Sequence, residues 1–244
     1  MKHVTQALQF LTTLPFPDTG VWEEHDCRHM AFFPLAGLLI GLILAVMDWI
    51  LYPLIPAHVL SVLLLVVSFL LTGGIHADGL ADTADGNFSG KNREGILLIM
   101  KDSRLGTHGV MALMLIYLLK FALLTSLLPA LRWWILIMMP MFGRLSLVLG
   151  AYKSTNARPM GLGNFYIGKI KIREVLIAAG ITLLATLQLS SAWIYFLFLP
   201  IFVIYFKHKM HKKIGGMTGD TLGALLEFTE TLFLLWMVIR FGGR

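Results

Sequence analysis

The chain has 244 residues, 57% of them hydrophobic and 14% charged, and a mean hydropathy of +0.76, which is too apolar for an ordinary water-soluble domain and specifies a polytopic membrane protein. A net charge of +6 could point to nucleic acid, but the charges occupy the gaps between apolar segments, as loop residues of a membrane protein do. The single cysteine, Cys27, excludes an internal disulfide framework.

Residues 1–20 hold Lys2 and His3 but no long apolar core, and they close on Pro15, Pro17 and Asp18, so they are not read as a cleavable signal. Residues 6–14 are expected as a short amphipathic piece at the membrane interface, and the polar segment 22–29 leads into the first span. Spans are expected at about 31–54, 57–71, 108–128, 133–151, 175–189, 192–206 and 222–239, each near or below the roughly 20 residues that cross a bilayer. Pro34 sits near the start of the first, where a missing N–H costs least. Gly37 and Gly41 are spaced for close helix contact, and only Ser190 and Ser191 separate the fifth and sixth spans, which predicts a tight hairpin. No flexible linker, low-complexity tract or fixed repeat breaks the chain. The expected architecture is all-α: one integral membrane domain, residues 1–244, a polytopic helical bundle of about seven transmembrane helices plus interfacial helices that carry an acidic motif.

Fifteen of the twenty basic residues fall on one side of this topology, three on the other, and Lys120 and Arg144 within spans. The positive-inside rule then puts the amino terminus in the cytoplasm, along with the loops that hold the polar motifs.

The acidic motif follows the second span, at 72–86, reading T-G-G-I-H-A-D-G-L-A-D-T-A-D-G. Asp78, Asp82 and Asp85 are spaced i, i+4, i+7, so a helix carries them within an arc of about 60°. Acids at helical spacing commonly form a solvated face. Beside a membrane-grade segment, however, ionisable groups are costly and mark function, and three clustered carboxylates repel unless a cation lies between them. Oxygen-only ligands suit Mg²⁺, Mn²⁺ or Ca²⁺ rather than zinc.

Further along, Lys101 and Arg104, with Gly106 and Gly109 just before the third span, suit either a phosphate or lipid headgroups. Arg144 lies inside an apolar run and needs a carboxylate or phosphate partner, or must snorkel. Arg158 stands in a loop where Pro159, Gly161 and Gly163 predict a defined turn. Asp220 and Glu227, seven apart, superpose on one helix face, with Glu230 about 80° away. His76, His108, His208 and His211 lack the spacing of a zinc site. Neither a Walker loop, a dinucleotide-binding glycine fingerprint nor a serine nucleophile elbow is present. Carboxylates with nearby arginines thus predict metal-assisted transfer of a phosphorus group.

G-G-I-H-A-D-G-L-A-D-T-A-D-G resembles the signature of the adenosylcobinamide-GDP ribazoletransferase (cobalamin synthase) family. So do F-L-T-T-L-P-F-P, F-P-L-A-G-L-L-I-G, M-K-D-S-R-L-G-T-H-G, A-R-P-M-G-L-G and G-G-M-T-G-D-T-L-G-A-L-L-E-F-T-E, which run in order from Phe10 to Glu230. The resemblance implies an inner-membrane enzyme with its active site facing the cytoplasm. Such an enzyme joins adenosylcobinamide-GDP to α-ribazole, or its 5′-phosphate, with release of GMP and a requirement for Mg²⁺. On this picture Asp78, Asp82 and Asp85 hold the metal. Asp220 or Glu227 completes its shell or takes the proton of the ribose 5′-hydroxyl, and Lys101, Arg104, Arg144 and Arg158 hold phosphates. The implied partners are these two substrates and the lipid bilayer, with no nucleic acid; the sequence assigns no oligomeric state.

Two other readings stay open on the residues alone. One is a CDP-alcohol-type membrane phosphotransferase, although D-x-x-D-G at 82–86 is followed by Phe88, Ser89 and Gly90 where that family's pattern has x-A-R. The other is a cation transporter, which needs acids near mid-bilayer, whereas these cluster at segment ends.

Overall fold

The structure is a computed structural model and describes residues 2–20, 26–158, 163 and 166–241. Its elements are helical: α1 (Lys2–Leu11), a 3₁₀ turn (Arg28–Phe32), α2 (Phe33–Leu51), α3 (Ala57–Thr72), α4 (Ile75–Phe88), α5 (Arg93–Ile99), α6 (Thr107–Thr125), α7 (Pro129–Ala151), α8 (Ile172–Thr186), α9 (Ser190–Ile214) and α10 (Gly219–Phe241). Among the described residues, five segments are long and apolar enough to cross a membrane: Arg28–Leu51, α6, α7, α9 and α10. A sixth is the pair α3 and α4, bent at 92°. All seven expected spans are helical, and α8, with 15 residues, is the short one.

α7 is the axis of the bundle, buried along almost its whole length. It packs on α2 through Gly37 and Gly41, where an added Cβ would lie 2.5 Å from the Pro140 carbonyl oxygen and 2.6 Å from Ile137 Cα. The expected close contact is therefore between backbones. Pro140, inside α7, supplies no N–H to the preceding turn. Away from this axis, the outer faces of α3, α6 and α9 expose Val62, Leu118, Leu197 and Ile201, a lipid-facing surface that no soluble monomer would leave bare.

Two features differ from the expected boundaries. Residues 207–213, expected as a loop, form the last two turns of α9, which stops at Gly215 with φ 82°. His211, Lys212 and Lys213 in the final turn face the negative end of the helix dipole, which favours the extension. Arg132, expected on the far loop, lies buried in the first turn of α7. There its guanidinium donates to Asp48 at 2.5 and 3.0 Å and to the Leu124 carbonyl at 2.6 Å.

The acidic helix owes its position to an elbow. Gly73 and Gly74 both take left-handed φ, 63° and 72°, and their N–H groups return to the Leu70 and Phe69 carbonyls. Two successive left-handed residues end α3 and send the chain off sideways. α4 therefore leaves the line of α3 at 92° and packs against the first turns of α10. Thr13 braces the elbow, its N–H donating to the Leu71 carbonyl at 2.8 Å and its hydroxyl to the Leu70 carbonyl at 2.9 Å.

Candidate active site

Asp78, Asp82 and Asp85 do lie on one helix, but their surroundings differ. Asp78 is exposed and Asp82 half-buried, and neither forms a hydrogen bond or ion pair with another described residue. Asp85 accepts from the Gly106 N–H through Oδ2 and from the Gly109 N–H through Oδ1, each at 2.8 Å. It thereby caps the start of α6, where unpaired amides and the positive dipole end favour a carboxylate. A Cβ at either Gly106 or Gly109 would collide with that carboxylate. These contacts explain why the K-D-S-R-L-G-T-H-G string needs its glycines.

α10 meets α4 just as closely. A Cβ on Gly79 would come within 2.7 Å of the Asp220 carbonyl oxygen, and one on Gly223 within 3.2 Å of His76 Cα. Thr218 and Thr221 cap α10 reciprocally, each hydroxyl accepting the other's backbone N–H, at 3.2 and 2.8 Å. The preceding residues are stitched to the 152–158 loop: Ala157 N–H donates to the Met217 carbonyl at 2.9 Å and Met217 N–H to the Thr155 carbonyl at 2.8 Å. Arg158 is so delivered to Asp220, Nη1 donating to Oδ2 at 2.7 Å. Of the expected turn around Arg158, Pro159 and Gly161 lie outside the described residues.

Burial, with the charges of Asp220 and Asp78 next, pushes the Asp82 carboxyl up to about 7, against the opposing pull of Arg158. The three acids thus sense one another, although among the described residues no three His, Cys, Asp or Glu side chains converge as a metal cage.

Two cavities flank this acidic centre, and Asp78 lines both. One, of about 730 Å³, is bordered by Asp82, Lys101, Asp102 and Arg104. Here Arg104 donates to Asp102, with Nη2 to Oδ2 at 2.6 Å, and holds its carboxyl down at about 2. The other, about 240 Å³, is lined by Phe10, Phe33, Tyr166, Asn156, Arg158 and Asp220 among others. Its rings pack on each other, Phe10 stacking on Phe33 with centroids 5.7 Å apart and meeting Tyr166 edge-on at 5.9 Å. Two Arg158 nitrogens, Nε and Nη2, are buried without a hydrogen-bond partner among the described residues, as is His76 Nε2.

Glu227 and Arg144 fall elsewhere. Seven residues beyond Asp220, Glu227 is roughly 10.5 Å deeper along α10, and Lys120 Nζ donates to it at 2.7 Å. Lys120 also donates to Glu230 at 2.8 Å, and Arg144 Nη1 donates to Glu230 at 2.6 Å. All four side chains are almost fully buried. The expectation that Asp220 and Glu227 share one pocket is not met: the pair is split between the acidic centre and an interior charge cluster, with His76 at the border of both. Lys120 was the missed partner. Its signal was its place in the apolar run L-L-K-F, as telling for a cation as for an acid. The aromatic cavity had no such signal, because Phe10, Phe33 and Tyr166 come from three distant segments of an already aromatic-rich chain.

Residues 3–238 match the family model described as Cobalamin-5-phosphate synthase. Among curated proteins, the chain is 44% identical to the adenosylcobinamide-GDP ribazoletransferase of Alkaliphilus metalliredigens, over 99% of this chain and 97% of the relative. It is 38% identical to the protein of that name from Caldanaerobacter subterraneus subsp. tengcongensis and 34% to that from Clostridioides difficile, each over 98% of both chains. No solved structure matches. With near-complete coverage by both measures, and with the A-D-G-L-A-D-T-A-D-G helix at the centre of the site, the chain belongs to the Cobalamin-5-phosphate synthase family.

Proposed function

We propose that this membrane transferase joins adenosylcobinamide-GDP to α-ribazole or its 5′-phosphate, releasing GMP in cobalamin biosynthesis. One observation carries the reading: Asp78, Asp82 and Asp220, from two motifs some 140 residues apart, meet between two cavities in a chain that matches ribazoletransferases from end to end.

A ribose oxygen forms a bond to the phosphorus next to the cobinamide, and the P–O–P bridge breaks, its oxygen leaving with GMP. Lys101 and Arg104 border the larger cavity and would hold the donor's phosphates as that charge moves. Asp220, steadied by Arg158, would take the hydroxyl proton. The family's name describes a 5-phosphate product, so a phosphate at the ribose 5′ position survives transfer. The attacking group is then another ribose hydroxyl, which corrects the expected 5′-hydroxyl.

Asp78 and Asp82 carry no competing partners among the described residues and are suited to Mg²⁺, which binds through one or two carboxylates and completes its shell with water and substrate phosphate. When bound there, the ion would neutralise the diphosphate and activate the hydroxyl. Asp85, already occupied at α6, would support this pair rather than lead it. Arg144 and Glu227 neutralise neighbours inside the bundle, which also removes the free mid-bilayer acids that a cation transporter needs. The family match leaves the CDP-alcohol reading unfavoured. The charge asymmetry of the loops supports an active site facing the cytoplasm.

The test is GMP release from adenosylcobinamide-GDP by purified protein with α-ribazole and Mg²⁺. Failure to release GMP dependent on α-ribazole would sink this reading.

A further inference from the structure

An in-line displacement at phosphorus needs the entering and leaving groups on opposite sides of the reacting atom. Two cavities meet at Asp78, which lines both, and they differ in size and chemistry. The smaller, at about 240 Å³, has about a third of the volume of the larger, at about 730 Å³. Of the two it is the one scaled to a two-ring aromatic base, and the larger is the one scaled to a corrin macrocycle. The corrinoid half of the donor must therefore lie in the larger cavity, where Lys101 and Arg104 stand beside the carboxylates and suit a phosphate leaving with negative charge.

The smaller cavity has what the other substrate requires. Phe10, Phe33 and Tyr166 form a packed aromatic wall, which suits the flat, methyl-edged base of a benzimidazole nucleoside better than guanine, whose edge needs several hydrogen bonds. Arg158 spends Nη1 on Asp220 and keeps Nε and Nη2 buried without partners among the described residues. Leaving two such donors unused is costly, and a guanidinium fork is shaped for phosphate oxygens.

We propose that the smaller cavity is the acceptor subsite. Its aromatic wall binds the benzimidazole base, and Arg158 holds the 5′-phosphate of the phosphorylated acceptor, so that Arg158 sets the preference for α-ribazole 5′-phosphate over α-ribazole. This rests on the ribazoletransferase reading and assigns Arg158 to the acceptor rather than to the donor diphosphate.

The experiment measures equilibrium binding of α-ribazole, α-ribazole 5′-phosphate and adenosylcobinamide-GDP, each alone, to detergent-purified full-length protein. Because binding is read without turnover, its outcome is separate from that of the GMP-release assay. Tyr166→Ala is expected to weaken both acceptors at least tenfold while adenosylcobinamide-GDP changes less than threefold. Arg158→Lys and Arg158→Gln are expected to shrink the phosphorylated-over-unphosphorylated affinity ratio at least tenfold. The proposal is overturned if Tyr166→Ala weakens the donor instead, weakens all three ligands alike in a monodisperse protein, or weakens none. An unchanged ratio in the Arg158 variants overturns the phosphate assignment. Should Tyr166→Ala fail to purify, Phe10→Leu carries the same two expectations.

Discussion

Gly79 of α4 lies directly against the backbone of Asp220 in α10, so close that a Cβ would sit 2.7 Å from the Asp220 carbonyl oxygen. The glycine is what lets two acidic motifs from distant parts of the chain share one site. Gly79→Ala must push the helices apart by something near an ångström. It is expected to cut GMP release at least tenfold in a protein that still purifies as a monodisperse species, and near-normal turnover would contradict the shared site.

If Asp82 holds Mg²⁺ as proposed, it sets the pH dependence of that binding. With its carboxyl raised to about 7, the metal-free protein holds a proton there at pH 6 and has mostly lost it at pH 8. A bound cation favours the ionised form, so Mg²⁺ affinity should rise between these pH values and binding at pH 6 should release a proton. Calorimetry in buffers of different ionisation enthalpy measures that proton. Asp82→Asn should abolish both the release and the turnover.

The interior cluster predicts a separation of stability from chemistry. Lys120→Met leaves Glu227 and Glu230 with only Arg144 nearby, and breaking a buried pair in this way costs about 3–5 kcal/mol. Unfolding in detergent should show a large fall, relieved in part by adding Glu227→Gln. In contrast, Asp220→Asn should lose transfer with little change in unfolding. If Glu227→Gln alone lost transfer as fully as Asp220→Asn at unchanged stability, Glu227 would belong to the chemistry after all.

Topology is checked by labelling. In a Cys27→Ser background, cysteines at Lys169 and Lys212 should react only from the cytoplasmic side, as the loop charges require. Reaction of either from outside would reverse the proposed orientation.

How much of this was legible beforehand depended on distance along the chain. The helices at all seven expected positions could be read because apolar length is local, and the three-aspartate face because helical spacing is local as well. The use made of Asp85 was not legible, since a cap on α6 depends on where Gly106 and Gly109 arrive in space. Glu227 is instructive in another way. Superposition every seven residues was right as an angle, but seven residues also carry a side chain two turns deeper, and there Lys120 waited on another helix. The end of α9 was hidden for a simpler reason: lysines look like loop in a membrane sequence, yet they suit the last turn of a helix equally well.

The elbow at Gly73 and Gly74 has a consequence for how such an enzyme can exist in a bilayer at all. Had α3 continued straight, the aspartates of α4 would have been threaded through hydrocarbon, at roughly 2.5–3.5 kcal/mol for each near the centre. A right-angled bend of 92° instead turns them away from that path. On the proposed reading, these acids would stay hydrated until a substrate covers them, and a bulky, water-soluble donor would reach them from the side without entering the lipid.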